Sequence, residues 1–199
     1  MIPLVKIITG FFSTGYALYC AKATMKGSKN LPKWDNWGDI FLKGLLARII
    51  VLIYHLPVLL FGIFLIFSLG GMAILTELRQ SPAMAVKTLL GLGTGILLML
   101  CLAVLINYLV PSALMSYVDK NSFGAAFNLG NVFKNAFRGE YFITWLFFIL
   151  YAVGIGIIAV LVSLILAITI IGPVIIMGYV LMIGQITSFT MFAQAYKKK

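Results

Sequence analysis

The sequence predicts an all-α fold: a polytopic transmembrane helix bundle with about five spans and two amphipathic helices at the cytoplasmic interface. Three observations predict it. The 199 residues are 62% hydrophobic and only 10% charged, which leaves too little polar surface for a soluble domain of this length. Apolar runs long enough to cross the roughly 30 Å hydrocarbon core recur between short charged connectors. Five crossings put twelve of the fifteen Lys and Arg residues on one side.

The first run covers about residues 2–21. Its start, MIPLVKIITG, has no basic segment ahead of the apolar run and no small-residue cleavage site, so it reads as a retained span. Lys6 near its outer end can snorkel to the headgroups. The second run covers 49–74, and the third covers 88–117 by way of Pro111. Tyr141 to Tyr196 then gives 56 residues without a charge, roughly 84 Å as one helix and too long for one crossing. The segment ITIIGP divides it, because Gly172 can end a helix and Pro173 suits the first turn of the next. Spans at 141–168 and 173–196 result. Strands are not expected, since a barrel alternates polarity in segments of about ten residues. The whole chain, 1–199, reads as one integral membrane domain.

Charge sets the orientation. Residues 22–48, residues 118–140 and the tail hold six, three and three Lys and Arg, against Lys6, Arg79 and Lys87 on the other side. The positive-inside rule places the N-terminus outside and the C-terminus in the cytoplasm. The net charge of +10 is read as orientation and as attraction to anionic headgroups at the cytoplasmic face. It is not read as a nucleic-acid footprint, because no binding module surrounds it. Cys20 and Cys101 lie in apolar runs without CxxC spacing and read as buried free thiols.

The connector LPKWDNWGDIFLKG places two tryptophans among charges. As a helix over 34–46 it gathers Trp34, Trp37, Ile40, Phe41 and Leu45 on one side and Asp35, Asn36, Asp39 and Lys43 on the other. That pattern predicts an amphipathic helix in the interface, the depth that suits tryptophan. A second such helix is expected over 122–138, with Phe123, Phe127, Phe133 and Phe137 on one face and Asn128, Asn131 and Asn135 on the other. Internal repetition accompanies the two. PSALMSY (111–117) and PVIIMGY (173–179) match, with a weaker copy in GFFSTGY (10–16), and NWGDIF (36–41) aligns with NLGNVF (128–133). The expectation is a duplicated unit in parallel orientation.

Gly-Tyr, LPKWDNWGDIFLKGL and IYHLP occur in that order, and there the chain resembles an uncharacterised prokaryotic membrane family, domain of unknown function 4013. Gly15, Tyr16, Leu31, Pro32, Trp34, Asp35, Trp37, Gly38 and Gly44 fit its pattern. Lys33 stands where the pattern has an acid, and Asn36 where it has an aspartate. The resemblance implies several helices in a prokaryotic membrane and brings no known activity.

The stock of reactive groups is poor. No HExxH, GxSxG, phosphate-binding loop or Cys-His metal spacing occurs. Asp35 and Asp39, four apart, could together hold a divalent ion at a lipid phosphate, but capping of an interfacial helix is the plainer role, and no cofactor or metal is expected. The functional pointers are polar residues at membrane depth: His55, Asn107, Gln185 and, in the last span, a stripe of Thr187, Thr190 and Gln194, lining a pathway or gripping a helix. Gly91 with Gly95, Ala159 with Ser163 and Ala167, and Gly184 with Ser188 suit close helix packing. The leading expectation is a non-enzymatic subunit or scaffold in the cytoplasmic membrane of a prokaryote, working on lipids and on a second copy or another membrane protein. The alternatives are a permease or channel subunit and, third, a lipid-modifying enzyme.

Overall fold

The computed structural model describes residues 3–28, 30–68, 82–165 and 172–197. Among them it has six α-helices, one 3-10 helix and no strand. The α-helices are α1 (Pro3–Met25), α2 (Trp37–Ser68), α3 (Pro82–Lys120), α4 (Leu129–Ala136), α5 (Gly139–Ile165) and α6 (Gly172–Lys197), with the 3-10 helix at Phe123–Phe127. Among the described residues, three stretches are long and apolar enough to cross a membrane: Trp37–Phe67, Gly93–Lys120 and Gly139–Val162. Residues 69–74 of the second expected span and 166–171 of the divided run lie outside the described residues.

Local chemistry sets the helix ends. At the end of α1, Ser28 N–H donates to the Ala23 carbonyl and Gly27 N–H to the Thr24 carbonyl, both at 2.9 Å. This paired closure needs a left-handed residue, which Gly27 supplies with φ of 82°. Asn36 caps α2, accepting from Asp39 N–H at 3.4 Å. Asn128 caps α4 in the same way, accepting from Asn131 N–H at 3.2 Å.

Two expected elements differ. No separate helix covers 34–46: Trp34 to Asn36 are non-helical, and the helix that starts at Trp37 runs on without a break to Ser68. Asp35 therefore precedes the helix, and its spacing from Asp39 does not put the two carboxylates on one helical face. Residues 122–138 form two elements rather than one, because Asn128 (φ −74°, ψ 83°) leaves helical geometry to cap α4. Phe123 and Phe127 pair on the 3-10 helix at 5.1 Å between ring centroids, and Phe133 and Phe137 stack on α4 at 6.0 Å.

The helices group into two compact units, one of residues 1–50 and 111–199 and one of residues 51–110. In the first, α1 lies against α6, and α6 against α5. Its core holds Tyr16, Leu18 and Cys20 from α1, Ile40, Ala47 and Ile50 from α2, Ser112 to Val118 from α3, and Phe192 from α6. Phe192 meets the rings of Tyr141 at 5.3 Å and Phe148 at 5.6 Å. The buried Ser112 hydroxyl donates to the Val132 carbonyl at 3.0 Å, and its N–H donates to the Tyr141 hydroxyl at 3.1 Å. These bonds tie α3, α4 and α5 together.

The second unit is an antiparallel pair built from the later part of α2 and the earlier part of α3. A Cβ on Gly95 would stand 2.6 Å from Leu65, and one on Gly62 would stand 3.5 Å from Met99. Of the expected small-residue pair, Gly95 makes the contact, while Gly91 has nothing within 4 Å. The outer faces, with Leu52, Leu60, Phe64, Leu97 and Val104, are exposed and apolar. Among the other expected packing positions, Ala159 and Ser188 are buried and Gly184 is open. Ser163 and Ala167 lie outside the residues whose side chains are described. Cys20 is buried as expected, whereas Cys101 faces outward from α3.

Replacing Phe192 by Ala removes a fully buried ring and should cost about 3–5 kcal/mol, read as a fall in the thermal unfolding midpoint in detergent. Phe147→Ala, at an exposed position of α5, should leave that midpoint nearly in place.

Candidate functional site

The densest set of specific contacts lies where α1 crosses the start of α2. Phe12, Gly15, Tyr16 and Tyr19 recur on α1 at intervals of three, one and three residues, and Trp37, Ile40, Phe41 and Gly44 repeat that spacing on α2. Each set is one helical stripe. The two stripes meet at glycine. A Cβ on Gly15 would run into the Ile40 carbonyl and stand 3.1 Å from Gly44 N. One on Gly44 would run into the Phe11 carbonyl and stand 2.9 Å from Gly15 N. The backbones touch, and no other residue type fits there without parting them.

Around this crossing the aromatic rings form a continuous run. Phe41 contacts Phe11 edge-on at 5.5 Å and Phe12 at 5.3 Å. Phe12 reaches Trp37 at 5.7 Å, Trp37 reaches Trp34 at 5.5 Å, and Trp34 stacks on Tyr16 at 4.1 Å with 17° between the planes. Tyr16 Oη donates to the Pro32 carbonyl at 3.0 Å, so one side chain holds both the ring and the backbone of the connector. Met182 and Ile186 of α6 pack against the same core.

A polar cluster closes the outer end. The Tyr19 hydroxyl donates to the Asp39 carboxylate. Lys43 Nζ lies 2.7 Å from the same oxygen and 4.3 Å from the centre of the Tyr19 ring. Lys22, just past the apolar run 2–21, donates to Asn121 Oδ1 at 3.2 Å. Burial, then the positive charges of Lys43 and Lys26, push its ammonium below the ordinary lysine range. A Cβ on Gly27 would stand 2.9 Å from Lys197 Nζ. Within this unit the ends of α1, α3 and α6 and the start of α2 therefore share one end, and the basic residues gather there.

Gly15, Tyr16, Pro32, Trp34, Trp37 and Gly44 of this crossing are among the residues that carried the family resemblance in the sequence. A family model described as "Protein of unknown function (DUF4013)" matches residues 1–164. The chain belongs to this family. No curated protein and no solved structure matches it. The geometry gives the DUF4013 pattern a physical meaning: its Gly15 and Gly44 form the crossing, Tyr16, Trp34 and Trp37 the aromatic run, and Pro32 the accepting carbonyl. Asn36, in place of an aspartate, retains the helix cap, since either side chain accepts from the first turn.

The sequence assigns Trp34, Trp37 and Phe41 to the headgroup layer. In the fold, Trp34 and Phe41 are half-buried against α1, and Trp37 keeps 57% of its surface exposed. On the other connector, Phe123 and Phe127 are half-buried, whereas Phe133 and Phe137 are exposed. The polar candidates are not brought together. His55 Nδ1 donates to the Val51 carbonyl and Asn107 Nδ2 to the Ala103 carbonyl, each at 2.8 Å on its own helix. Gln185 Oε1 accepts from Ser13 Oγ at 2.6 Å, a bond between α6 and α1. Thr190 donates to the Thr187 carbonyl at 2.9 Å. Gln194 opens with Thr144 and Tyr151 into a groove of about 720 Å³ between α5 and α6, whose lining does not include Gln185. Among the described residues no three His, Cys, Asp or Glu side chains converge.

Sequence reasoning missed the pairing of Tyr19 with Asp39, the Ser13 partner of Gln185, and Arg48, whose Nε donates to Thr14 Oγ1 at 3.3 Å. The matched spacing of the two stripes was the available sign for the first. Gly15→Ala and Gly44→Ala should each destabilise the protein by about 1–3 kcal/mol through overpacking. Gly38→Ala, where nothing lies within 4 Å, should stay within about 0.5 kcal/mol. Thermal unfolding of the three variants side by side checks the order.

Proposed function

We propose that this DUF4013 protein is a non-enzymatic subunit or scaffold of the cytoplasmic membrane of a prokaryote, acting through helix–helix and helix–lipid contacts. In this reading it crosses five times, with α1 and α6 as the first and last spans, the N-terminus outside and the tail in the cytoplasm. The gathering of Lys22, Lys26, Lys43, Lys120 and Lys197 at one end of the unit supports that orientation under the positive-inside rule. The 3-10 helix and α4 then lie at the cytoplasmic headgroups. The shared asparagine caps at Asn36 and Asn128 support a duplicated unit, since aligned positions make the same bond in both copies.

One observation carries the functional reading. Of the polar groups at membrane depth, Gln185 joins two helices through its bond from Ser13, and His55, Asn107 and Thr190 are satisfied on their own helices. A transport path would instead leave such groups facing a common cavity. Among the described residues the groove at Gln194 favours a permease, but its lining includes neither Thr187 nor Thr190 of the stripe.

The partner face is the exposed apolar surface of the second unit. A photo-crosslinking side chain at Leu60, exposed on α2, should yield a single protein adduct in intact membranes, either a second copy or one stoichiometric partner. The same group at the buried Ser112 should yield none. Lipid adducts alone at Leu60, together with solute flux in proteoliposomes, would replace this reading with the permease.

A further inference from the structure

A groove of about 720 Å³ runs between α5 and α6. On α5 its lining residues Glu140, Thr144, Phe147, Leu150 and Tyr151 fall on one helical face, and Gln194 lines it from α6. Phe192 meets the rings of both Tyr141 and Phe148, so Gln194 stands level with the first turns of α5.

The groove is polar at one end and apolar beyond it. Glu140, Thr144 and Gln194 lie at the start of the apolar stretch Gly139–Val162. Phe147 and Leu150, 59% and 61% exposed, follow toward its middle. The eleven steps from Glu140 to Tyr151 make about 16 Å of helix, half of the roughly 30 Å hydrocarbon core. That length selects the occupant. A partner helix crosses both leaflets, whereas this groove covers one. A lipid also occupies one leaflet, with oxygens at the surface and hydrocarbon beneath. Gln194 is exposed and makes no hydrogen bond among the described residues. At the edge of the hydrocarbon such an amide costs free energy until it donates to an acceptor, and a lipid oxygen at that level is one.

We propose that this groove seats one phospholipid, its glycerol and phosphate oxygens at Gln194 and one hydrocarbon chain along Phe147 and Leu150. The proposal rests on the reading of α5 as a span in a protein that works through helix–lipid contacts, and it locates one such contact. No cation lines the groove, so the seat does not select an anionic headgroup. The full-length protein in mild detergent is offered phosphatidylethanolamine or phosphatidylglycerol, and retained lipid is read by native mass spectrometry. Q194L removes the amide, L150W fills the groove, and L146W adds the same ring at an exposed position of α5 outside the lining. The expected result is about fivefold less retained phosphatidylethanolamine for Q194L, a loss at least as large for L150W, and none for L146W. The same pattern of losses is expected with phosphatidylglycerol. Equal retention by all four proteins, or equal loss in L146W and L150W, would overturn the site. A dimer mass that Q194L and L150W abolish while lipid retention stays unchanged would give the groove to a second copy instead. The span is read separately, by a fluorophore on Ile157→Cys in a Cys101→Ser background, at an exposed position of α5 outside the groove. Lipid brominated in its chains should quench it. Absence of quenching sinks the span and the seat with it, and quenching with unchanged retention sinks the seat alone.

Discussion

The contact between the backbones of Gly15 and Gly44 is the constraint on which the ordered end of this protein depends. Inside a membrane, lipid tails are as apolar as leucine, so burying side chains against a neighbouring helix gives little net drive. What remains is close packing and polar bonding. Two facing glycines allow both. They bring α1 and α2 close enough for Phe11, Phe12, Trp37 and Phe41 to meet ring to ring, and for Tyr19 to reach Asp39. With larger residues at the crossing, each of these contacts would open together. The Tyr16 hydroxyl then extends the order into the connector, through its bond to Pro32.

The two units solve the problem of stability differently. In the first, side-chain bonds join distant elements: Ser13 to Gln185, Arg48 to Thr14, and Ser112 to both Val132 and Tyr141. The Ser116 hydroxyl is buried there without a partner among the described residues. In the second, His55 and Asn107 bond within their own helices, and the contacts of Gly62 and Gly95 with Met99 and Leu65 are apolar. A segment whose polar groups are satisfied locally, and whose outer faces are largely apolar, is suited to lipid or to another helix.

Helix content was legible in the sequence because it follows from local rules. The break expected between Ile168 and Pro173 falls largely on residues 166–171, outside the described residues. The connector from 34 to 46 was read less well, for a physical reason. An amphipathic period reports that one face avoids water, and it does not say whether headgroups or a neighbouring aromatic helix cover that face. Here α1 covers much of it, through Phe12 and Tyr16. Gln185 stood out as a polar residue in an apolar run, but its partner Ser13 lies 172 residues away. No spacing rule links two such positions.

The most direct measurement of the crossing is disulfide trapping in native membranes, in a background without Cys101. The account predicts that Phe12→Cys pairs rapidly with Phe41→Cys, whose native rings lie 5.3 Å apart. It also predicts slow pairing with Leu42→Cys, on the exposed side of α2. Equal rates for the two partners would contradict it, since α1 and α2 would then not be held face to face at their glycines.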